Sequence, residues 1–246
     1  MNSLEVCYSP ALFDYHKNKD AIVVVVDVLR ATSSICTAFA NGVEYIIPVK
    51  SKEEALSYKE KGFVIAAERN GLILDFADIG NSPYNFSAEV IGGKKVVYST
   101  TNGTKTIQTA AAESKKVVIG AFSNISVLTD WLIAQESPII ILCAGWKNRY
   151  NIEDTVFAGA LSSRLLSTKL FTSICDSTTA AIDMWHTHKH DLRSLIDTCA
   201  QRERLRVNKL DDCIDYCIST DTCPVIPEFD GTALYDALLG SSIPGF

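Results

Sequence analysis

The chain has 246 residues, of which 47% are hydrophobic and 21% charged, and this balance argues against a disordered or fibrous protein. Its 23 basic and 29 acidic residues give a net charge of −6, which argues against a broad nucleic-acid-binding face and against docking on anionic lipid. The start has no signal-peptide pattern, and no apolar run approaches the roughly 20 residues that cross a bilayer, so we expect a cytoplasmic protein. The eight scattered cysteines are expected to be reduced and mostly to pack in the core.

Short apolar runs alternate with helical patterns over the first two-thirds of the chain. The run over 22–26 is apolar at every position, which predicts a strand buried between two helix layers. Further strands are predicted over 45–47, 63–66, 96–98, 117–119 and 139–142. The alternation is typical of an α/β fold, with a mostly parallel sheet covered by helices on both faces.

Several helices have recognisable ends. Ser51 and Glu54 form a capping-box pattern for a helix over 52–61, which Gly62 ends. Asn124 and Asn151 are expected to cap the helices that follow them. The C-terminal part reads as helical over 177–200 and 201–218, followed by a loop over 219–231 and a short closing helix. We expect a single domain over 1–246; two lobes, about 1–170 and 171–246, are the alternative.

Polar residues follow most of the predicted strands, and ligands of parallel sheets bind outside the carboxyl ends of the strands. One edge of the sheet is therefore predicted to gather carboxylates, arginines, hydroxyls and glycines, which are suited to an anion site with a metal. The residues at strand ends are Asp27 and Arg30, Glu68 and Arg69, residues 99–104, and Cys143 with Gly145.

The segment Ser99-Thr100-Thr101-Asn102-Gly103-Thr104 is the most informative stretch for anion binding. Gly103 permits a tight turn into a helix over 104–112, whose first N–H groups would point at an anion. A hydroxyl-rich turn that only caps its helix is the alternative. The segment lacks the lysine of a P-loop and the spacing of a dinucleotide-binding loop, so nucleotide binding gains no support.

Asp27 and Arg30 directly follow the most apolar predicted strand. A carboxylate at this place can hold Mg²⁺ or attack phosphorus, and the guanidinium can bind an oxyanion through two hydrogen bonds. The alternative is that Asp27 caps the next helix and pairs with Arg30. A haloacid-dehalogenase-type phosphatase would need an acid where Leu29 stands, which weakens that assignment.

The other chemically reactive side chains have simpler interpretations. Glu68, Asp78 and Asp154 could be solvated turn acids or helix-dipole partners rather than ligands. His186 and His190 share a helical face, but the glutamate of a zinc motif is absent, so a solvated helix end is preferred. The cysteines of the C-terminal part are expected to pack, whereas Cys143 is predicted to line the site.

Together these stretches resemble the 2-phosphosulfolactate phosphatase (ComB-like) family. The matching stretches, in family order, are Asp27-Val28-Leu29-Arg30-Ala31-Thr32, Gly80-Asn81-Ser82-Pro83, Thr100-Thr101-Asn102-Gly103-Thr104, Cys143-Ala144-Gly145, and Glu153-Asp154 followed by Ala158-Gly159. The resemblance implies an α/β phosphatase that uses Mg²⁺ to convert 2-phospho-3-sulfolactate to 3-sulfolactate, on a route to coenzyme M. It implies a small anionic phosphomonoester as partner, with neither nucleic acid nor membrane, and leaves a homo-oligomer open.

From the residues and the resemblance we hypothesise the following roles. Asp27, Arg30 and Glu68 are catalytic, and Mg²⁺ is held by Asp27 with Glu68, Asp78 or Asp154. The residues predicted to bind substrate are Arg69, Asn81, Ser82, Thr100, Thr101, Asn102, Gly103, Thr104, Cys143 and Gly145. The nucleophile is either Asp27 or a metal-assisted water. The other functions left open are hydrolysis of a related small phosphorylated acid and non-catalytic binding of an anion or nucleotide.

Overall fold

The structure is a computed structural model that describes residues 1–240. Its strands are β1 (Asn2–Cys7), β2 (Asn18–Val26), β3 (Tyr45–Pro48), β4 (Val64–Arg69), β5 (Leu72–Ile73), β6 (Lys95–Ser99), β7 (Ser114–Gly120), β8 (Ile139–Cys143), β9 (Phe171–Thr172), β10 (Pro227–Phe229) and β11 (Leu234–Asp236). Its α-helices are α1 (Ala31–Ala40), α2 (Lys52–Ser57), α3 (Ala88–Ile91), α4 (Gly103–Ala111), α5 (Ile125–Ala134), α6 (Ile152–Ser167), α7 (Asp176–His188), α8 (Leu192–Asp197), α9 (Ala200–Val207) and α10 (Ile214–Ile218). No helix within residues 1–240 has both the length and the apolar character needed to span a membrane.

The strands form one sheet in the order β5-β4-β6-β3-β11-β10-β7-β2-β8-β1-β9. The strands β4, β6 and β3 are parallel to one another, and so are β7, β2, β8, β1 and β9. The hairpin of β10 and β11 joins these two groups through antiparallel pairs with β7 and β3. The predicted α/β fold with a mostly parallel sheet is therefore confirmed.

Helices cover both faces of the sheet, as predicted. Val23 and Val25 of β2 pack into a core with α1 and α4, whereas Val24 and Val26 pack into another with α5 and α6. Because successive side chains point to opposite faces, a strand buried on both faces must be apolar at every position. This alternation explains the unbroken run of valines in β2.

The predictions for the end of the chain were wrong. Residues within the expected loop over 219–231 form β10, and the expected closing helix is instead β11. Asp230 Oδ1 holds the turn between them by accepting hydrogen bonds from Thr232 N and Ala233 N, at 2.7 and 2.8 Å. Three-residue strands are too short to show an alternating pattern, and Pro227 is tolerated because it begins its strand.

The helical C-terminal part is confirmed, but its two long predicted helices are four shorter ones, α7 to α10. The break before α8 has a local cause, because the Asp191 side chain caps that helix through Ser194 N at 3.1 Å. All eight cysteines are free, and seven of them are buried. The single-domain assignment stays a prediction, and residues 241–246 lie outside the described part.

The predicted helix caps had mixed outcomes. Ser51 Oγ accepts a hydrogen bond from Glu54 N at 3.0 Å, and Gly62 adopts a left-handed conformation with φ of 81° after a short 3₁₀ turn. Asn124 and Asn151 precede α5 and α6 without capping them through their side chains. The Asn124 side chain instead donates to the carbonyl oxygens of Ile119 and Val225, thereby linking β7 to the segment before β10.

Candidate active site

The carboxyl ends of the parallel strands bring several predicted site residues to one small cavity. The cavity has a volume of about 20 Å³. It is lined by the predicted residues Asp27, Arg30, Glu68, Asn81 and Asn102, and also by Leu29, Gly71, Trp146, Gln201 and Leu205. The strand ends that supply the acids and Asn102 are those of β2, β4 and β6, which lie in both parallel groups of the sheet.

Asp27 lies at the end of β2 and is partly exposed in this cavity. Its Oδ1 accepts one long hydrogen bond, from Ala31 N at 3.4 Å, so the capping interpretation is realised in part. Burial raises the pKa of Asp27 to about 7, and the nearby negative charges of Glu68 and Glu153 act in the same direction. A carboxylate in this environment is stabilised by any cation that enters the cavity.

Arg30 is buried, with 3% of its surface exposed. Within residues 1–240 it forms no salt bridge, so it is not the ion-pair partner of Asp27, and its Nη1 atom has no hydrogen-bond partner. The charge of Arg30 lowers the pKa of Asp27, although less than burial raises it, and the unpartnered Nη1 leaves one buried donor available to a ligand. The cavity therefore holds a cation that is suited to the oxygens of a phosphoryl group.

Glu68 is buried, and its carboxylate accepts three hydrogen bonds. Its oxygens accept from Gly71 N at 2.6 Å, from Thr101 N at 2.6 Å and from Thr101 Oγ1 at 3.1 Å. These contacts fasten the turn after β6 to the turn after β4. Glu68 thus orients the backbone around the cavity in addition to lining it.

The turn over 100–104 caps its own helix, as the simpler interpretation of that sequence stated. Thr104 N donates to Thr100 Oγ1 at 3.2 Å, and Thr100 N donates to Thr104 Oγ1 at 3.3 Å. Both threonines are buried, which leaves Asn102 as the residue of this turn that lines the cavity. A Cβ atom on Gly103 would lie 3.1 Å from Asp27 Oδ2, so the missing side chain allows α4 to begin beside the carboxylate.

Asp154 is buried at the start of α6, and both of its oxygens are occupied. Oδ1 accepts from Val28 N at 2.9 Å, and Oδ2 accepts from Gly145 N at 3.1 Å. Burial, with Glu153 and Asp27 nearby, raises the pKa of Asp154 well above its usual range. Asp154 therefore joins the ends of β2 and β8 rather than facing the cavity.

Three further predicted residues are not among those that line the cavity. The Arg69 guanidinium donates to the carbonyl oxygens of Glu68, Ser99 and Lys50 and to Ser99 Oγ. Gly145 has φ of 61°, and a Cβ atom there would lie 2.1 Å from Arg149 O, so this turn requires glycine. Cys143 is fully buried in the core, so the expectation that its thiol lines the site is wrong.

The loop before α3 brings Asn81 to the cavity but leaves Asp78 apart from Asp27. Asp78 accepts a hydrogen bond from Ile65 N, at the opposite end of β4 from Glu68, and pairs with Lys59 at 3.3 Å. Asn81 accepts a hydrogen bond from the Tyr98 hydroxyl. A neighbouring cavity of about 300 Å³ is lined by Asp78, Ser82, Asn81 and Arg30. Within residues 1–240, the buried Ser82 Oγ has no hydrogen-bond partner.

The four predicted metal ligands do not form a preassembled cluster. Among residues 1–240, the group of three ligand atoms within 4.8 Å of one another is that of Glu5, His16 and Cys175, which lies at β1 and the start of α7. Asp27 and Glu68 are the predicted ligands that share the cavity. Two carboxylates suit Mg²⁺, which takes one or two of them and keeps several waters.

Sequence reasoning did not predict three of the residues that line the cavity. Gln201 and Leu205 of α9 and Trp146 after β8 line it. Gln201 Nε2 donates to Leu29 O at 2.9 Å, Arg204 Nε donates to Gln201 Oε1 at 2.7 Å, and the Arg204 guanidinium stacks 4.4 Å from the centre of the Trp146 ring. The candidate site residues were chosen because they follow predicted strands. Gln201 and Leu205 belong to a helix far along the chain, so that rule did not select them.

Comparisons with known proteins agree with the resemblance seen in the motifs. The model of the 2-phosphosulpholactate phosphatase family matches residues 7–232. A protein of Thermotoga maritima named "Probable 2-phosphosulfolactate phosphatase" is 35% identical over 204 residues, covering 83% of this chain and 87% of that protein. Proteins of the same name from Clostridium novyi and Caldanaerobacter subterraneus are 32% and 30% identical, covering 87% and 85% of this chain and 91% and 88% of their own lengths. The chain therefore belongs to the 2-phosphosulpholactate phosphatase family of phosphoric monoester hydrolases.

Proposed function

We propose that this chain hydrolyses 2-phospho-3-sulfolactate to 3-sulfolactate and inorganic phosphate. The names of the relatives give the substrate, and one observation in the structure carries the chemistry. This observation is the buried Arg30 guanidinium, which within residues 1–240 forms no salt bridge and keeps Nη1 without a hydrogen-bond partner, in the same small cavity as the Asp27 carboxylate. A cation for the phosphoryl oxygens beside an oxygen nucleophile or base is the arrangement that phosphoryl transfer needs.

In this proposal Arg30 binds the phosphoryl oxygens and stabilises the charge that spreads over them in the transition state. Asp27 acts in one of two ways. In the first, it attacks phosphorus, the bond to the ester oxygen breaks, the departing oxygen takes a proton from water, and water hydrolyses the aspartyl phosphate to the carboxylate and inorganic phosphate. In the second, it takes a proton from the attacking water and gives it to the departing ester oxygen. A rapid-quench search for a hydroxylamine-sensitive phosphoprotein distinguishes the two, because only the first route forms one.

We propose Mg²⁺ as the cofactor, held by Asp27 and Glu68. Support comes from the raised pKa of Asp27, which burial and the charges of Glu68 and Glu153 produce, since a divalent cation would offset this cost. When bound, the ion would polarise the phosphoryl group. Arg30 then supplies the second positive charge, while Glu68 also keeps Thr101 and Gly71 in place.

The volume of the cavity implies that it widens when substrate binds. About 20 Å³ accommodates roughly one water molecule, and a phosphoryl group needs more. Trp146, Gln201 and Leu205 bound the cavity on the side of α9, so we propose that this side moves. A change in Trp146 fluorescence on addition of 3-sulfolactate, absent in Trp146→Phe, tests this; an unchanged spectrum contradicts it.

The deciding experiment is a phosphatase screen with 2-phospho-3-sulfolactate, phospholactate and p-nitrophenyl phosphate, each with Mg²⁺ and with EDTA. We expect release of phosphate with Mg²⁺, the highest kcat/KM for phosphosulfolactate, and loss of activity in EDTA. Full activity in EDTA would remove the metal from the proposal. Tight binding of these esters without release of phosphate would instead support a non-catalytic anion-binding protein.

A further inference from the structure

A larger cavity of about 490 Å³ lies next to the small cavity that contains Asp27, which we call the Asp27 cavity. Its polar lining comes from Thr101, Asn102, Lys105, Thr106, Thr109 and Lys147, with Asn148 at one side. Within the described part of the chain, two lysines and no acid line it, although the net charge of the chain is −6. The volume falls within the range of roughly 300–1,000 Å³ that is typical of small-molecule sites.

Both lysines are available to a ligand. Within residues 1–240 neither ammonium group forms a salt bridge or donates a side-chain hydrogen bond to a protein acceptor. The Lys147 ammonium lies 5.4 Å from the centre of the Trp146 ring, which also borders the Asp27 cavity. Among the residues that the structure describes, two positive charges in the lining of this cavity are therefore without a salt-bridge partner.

Asn102 connects the two cavities, because it lines both. Its Oδ1 accepts a hydrogen bond from Lys147 N at 3.0 Å, which holds the turn after β8 against the turn after β6. Lys105 lies in the first turn of α4, whose start also adjoins Asp27 through Gly103. A small molecule that extends past Asn102 therefore contacts both the Asp27 cavity and the lysines.

We infer that Lys105 and Lys147 form a subsite for the anionic groups of the substrate that do not react. The inference rests on the proposed function and adds a specificity rule to it. The phosphoryl group lies at Asp27 and Arg30, and the carboxylate or sulfonate, whose carbon or sulfur is three or four bonds from phosphorus, lies at the lysines. The subsite selects phosphate esters that carry a further anion, since the lysine charges offset the repulsion of a substrate of about −4 by an acidic protein.

The test uses three substrates with a decreasing number of anionic groups: 2-phospho-3-sulfolactate, phospholactate and p-nitrophenyl phosphate. The variants are Lys105→Ala, Lys147→Ala and the double variant, with Lys52→Ala on the surface of α2 as the matched control. Each loss of a charge-assisted contact is expected to raise KM for phosphosulfolactate roughly tenfold, with kcat nearly unchanged. KM for p-nitrophenyl phosphate is expected to stay constant, and Lys105→Arg is expected to restore binding.

Two results would overturn the inference. Unchanged KM values for all three substrates would show that the lysines do not contact the substrate. An equal loss with p-nitrophenyl phosphate would show that they bind the phosphoryl group itself. If wild-type protein hydrolyses none of the esters, the proposed function fails rather than the subsite, and calorimetric titration with 3-sulfolactate then tests the subsite alone. Weaker binding by the lysine variants supports it, and equal binding contradicts it.

Discussion

Gly103 and Asp27 approach each other so closely that a Cβ atom on Gly103 would lie 3.1 Å from Asp27 Oδ2 and 2.7 Å from the Cβ atom of Ala31. The first residue of α4 thus forms part of the wall against which the carboxylate rests. The relationship is steric, because it follows from the absence of a side chain. It makes the position of Asp27 depend on a residue from a strand end in the other parallel half of the sheet.

Gly103→Ala is therefore expected to displace the Asp27 carboxylate. Misplacement of a reacting group by about 1 Å costs up to roughly 100-fold in rate, so we expect kcat/KM to fall about 10- to 100-fold. The overpacked contact with Ala31 is expected to cost roughly 1–3 kcal/mol in the free energy of unfolding. Steady-state kinetics and urea denaturation measure the two effects. Activity equal to that of the wild type would show that the contact does not position Asp27.

Asp27→Asn is expected to remove most of the activity while the protein stays folded. An amide is neither a nucleophile nor a base, and the loss of such a group costs about 10²- to 10⁴-fold in turnover. Asp20→Asn is the matched control, because Asp20 lies exposed near the start of the same strand. Circular dichroism checks the fold. A folded Asp27→Asn variant with near wild-type turnover would assign the chemistry to another residue.

The raised pKa of Asp27 also predicts how stability depends on pH when Mg²⁺ is removed with EDTA. The carboxyl has a pKa of about 7 when folded and an ordinary value of 3.8, so the unfolded state loses its proton first. Below pH 4 the ionisation of Asp27 therefore does not change the free energy of unfolding. Between about pH 4 and 7 it lowers that free energy progressively, and above pH 7 the loss is constant. Asp27→Asn removes the cost. Urea denaturation should show that the free energy of unfolding of Asp27→Asn, relative to that of the wild type, increases between pH 4 and 7. A difference that is independent of pH would contradict the raised pKa.

Glu68→Gln tests whether the hydrogen bonds of Glu68 hold the turns after β4 and β6 together. Three hydrogen atoms point at the Glu68 carboxylate, from Gly71 N, Thr101 N and Thr101 Oγ1. Glutamine turns one acceptor into a donor, so at least one partly buried backbone N–H group loses its partner, at a cost of up to roughly 1–3 kcal/mol. We expect lower thermal stability together with lower kcat/KM. Glu54→Gln is the control, since Glu54 accepts from Lys50 N on the exposed surface. Equal effects in the two variants would contradict the role of Glu68.

Sequence reasoning located Asp27 and Arg30 because a strand buried on both faces is unmistakable and its carboxyl end is the place for a ligand. It was wrong for Cys143, which is the last residue of β8 itself and packs in the same core as Ile139 and Ile141. Both faces of β8 are buried, so a side chain of this strand enters a core whichever face it is on. Being at the end of a strand does not by itself give a side chain access to the site.

Other parts of the site depend on the path of the chain, which no local pattern records. Asp78 was predicted as a possible Mg²⁺ ligand beside Asp27, but the loop that carries it returns to the first residues of β4. Gln201 and Leu205 reach the cavity from a charged helix whose sequence shows only an exposed and a covered side. Such residues can be assigned to a site only when the long-range contacts of the chain are known.

The position of the β10–β11 hairpin has a consequence for synthesis of the chain. The hairpin lies between β7 and β3, so the two parallel groups of strands cannot join into one sheet until residue 236 has emerged from the ribosome. Until then the nascent protein has two open strand edges, which other chains can pair with and which favour aggregation. Translation completes the middle of this sheet last, and a polypeptide truncated before Pro227 keeps both edges open.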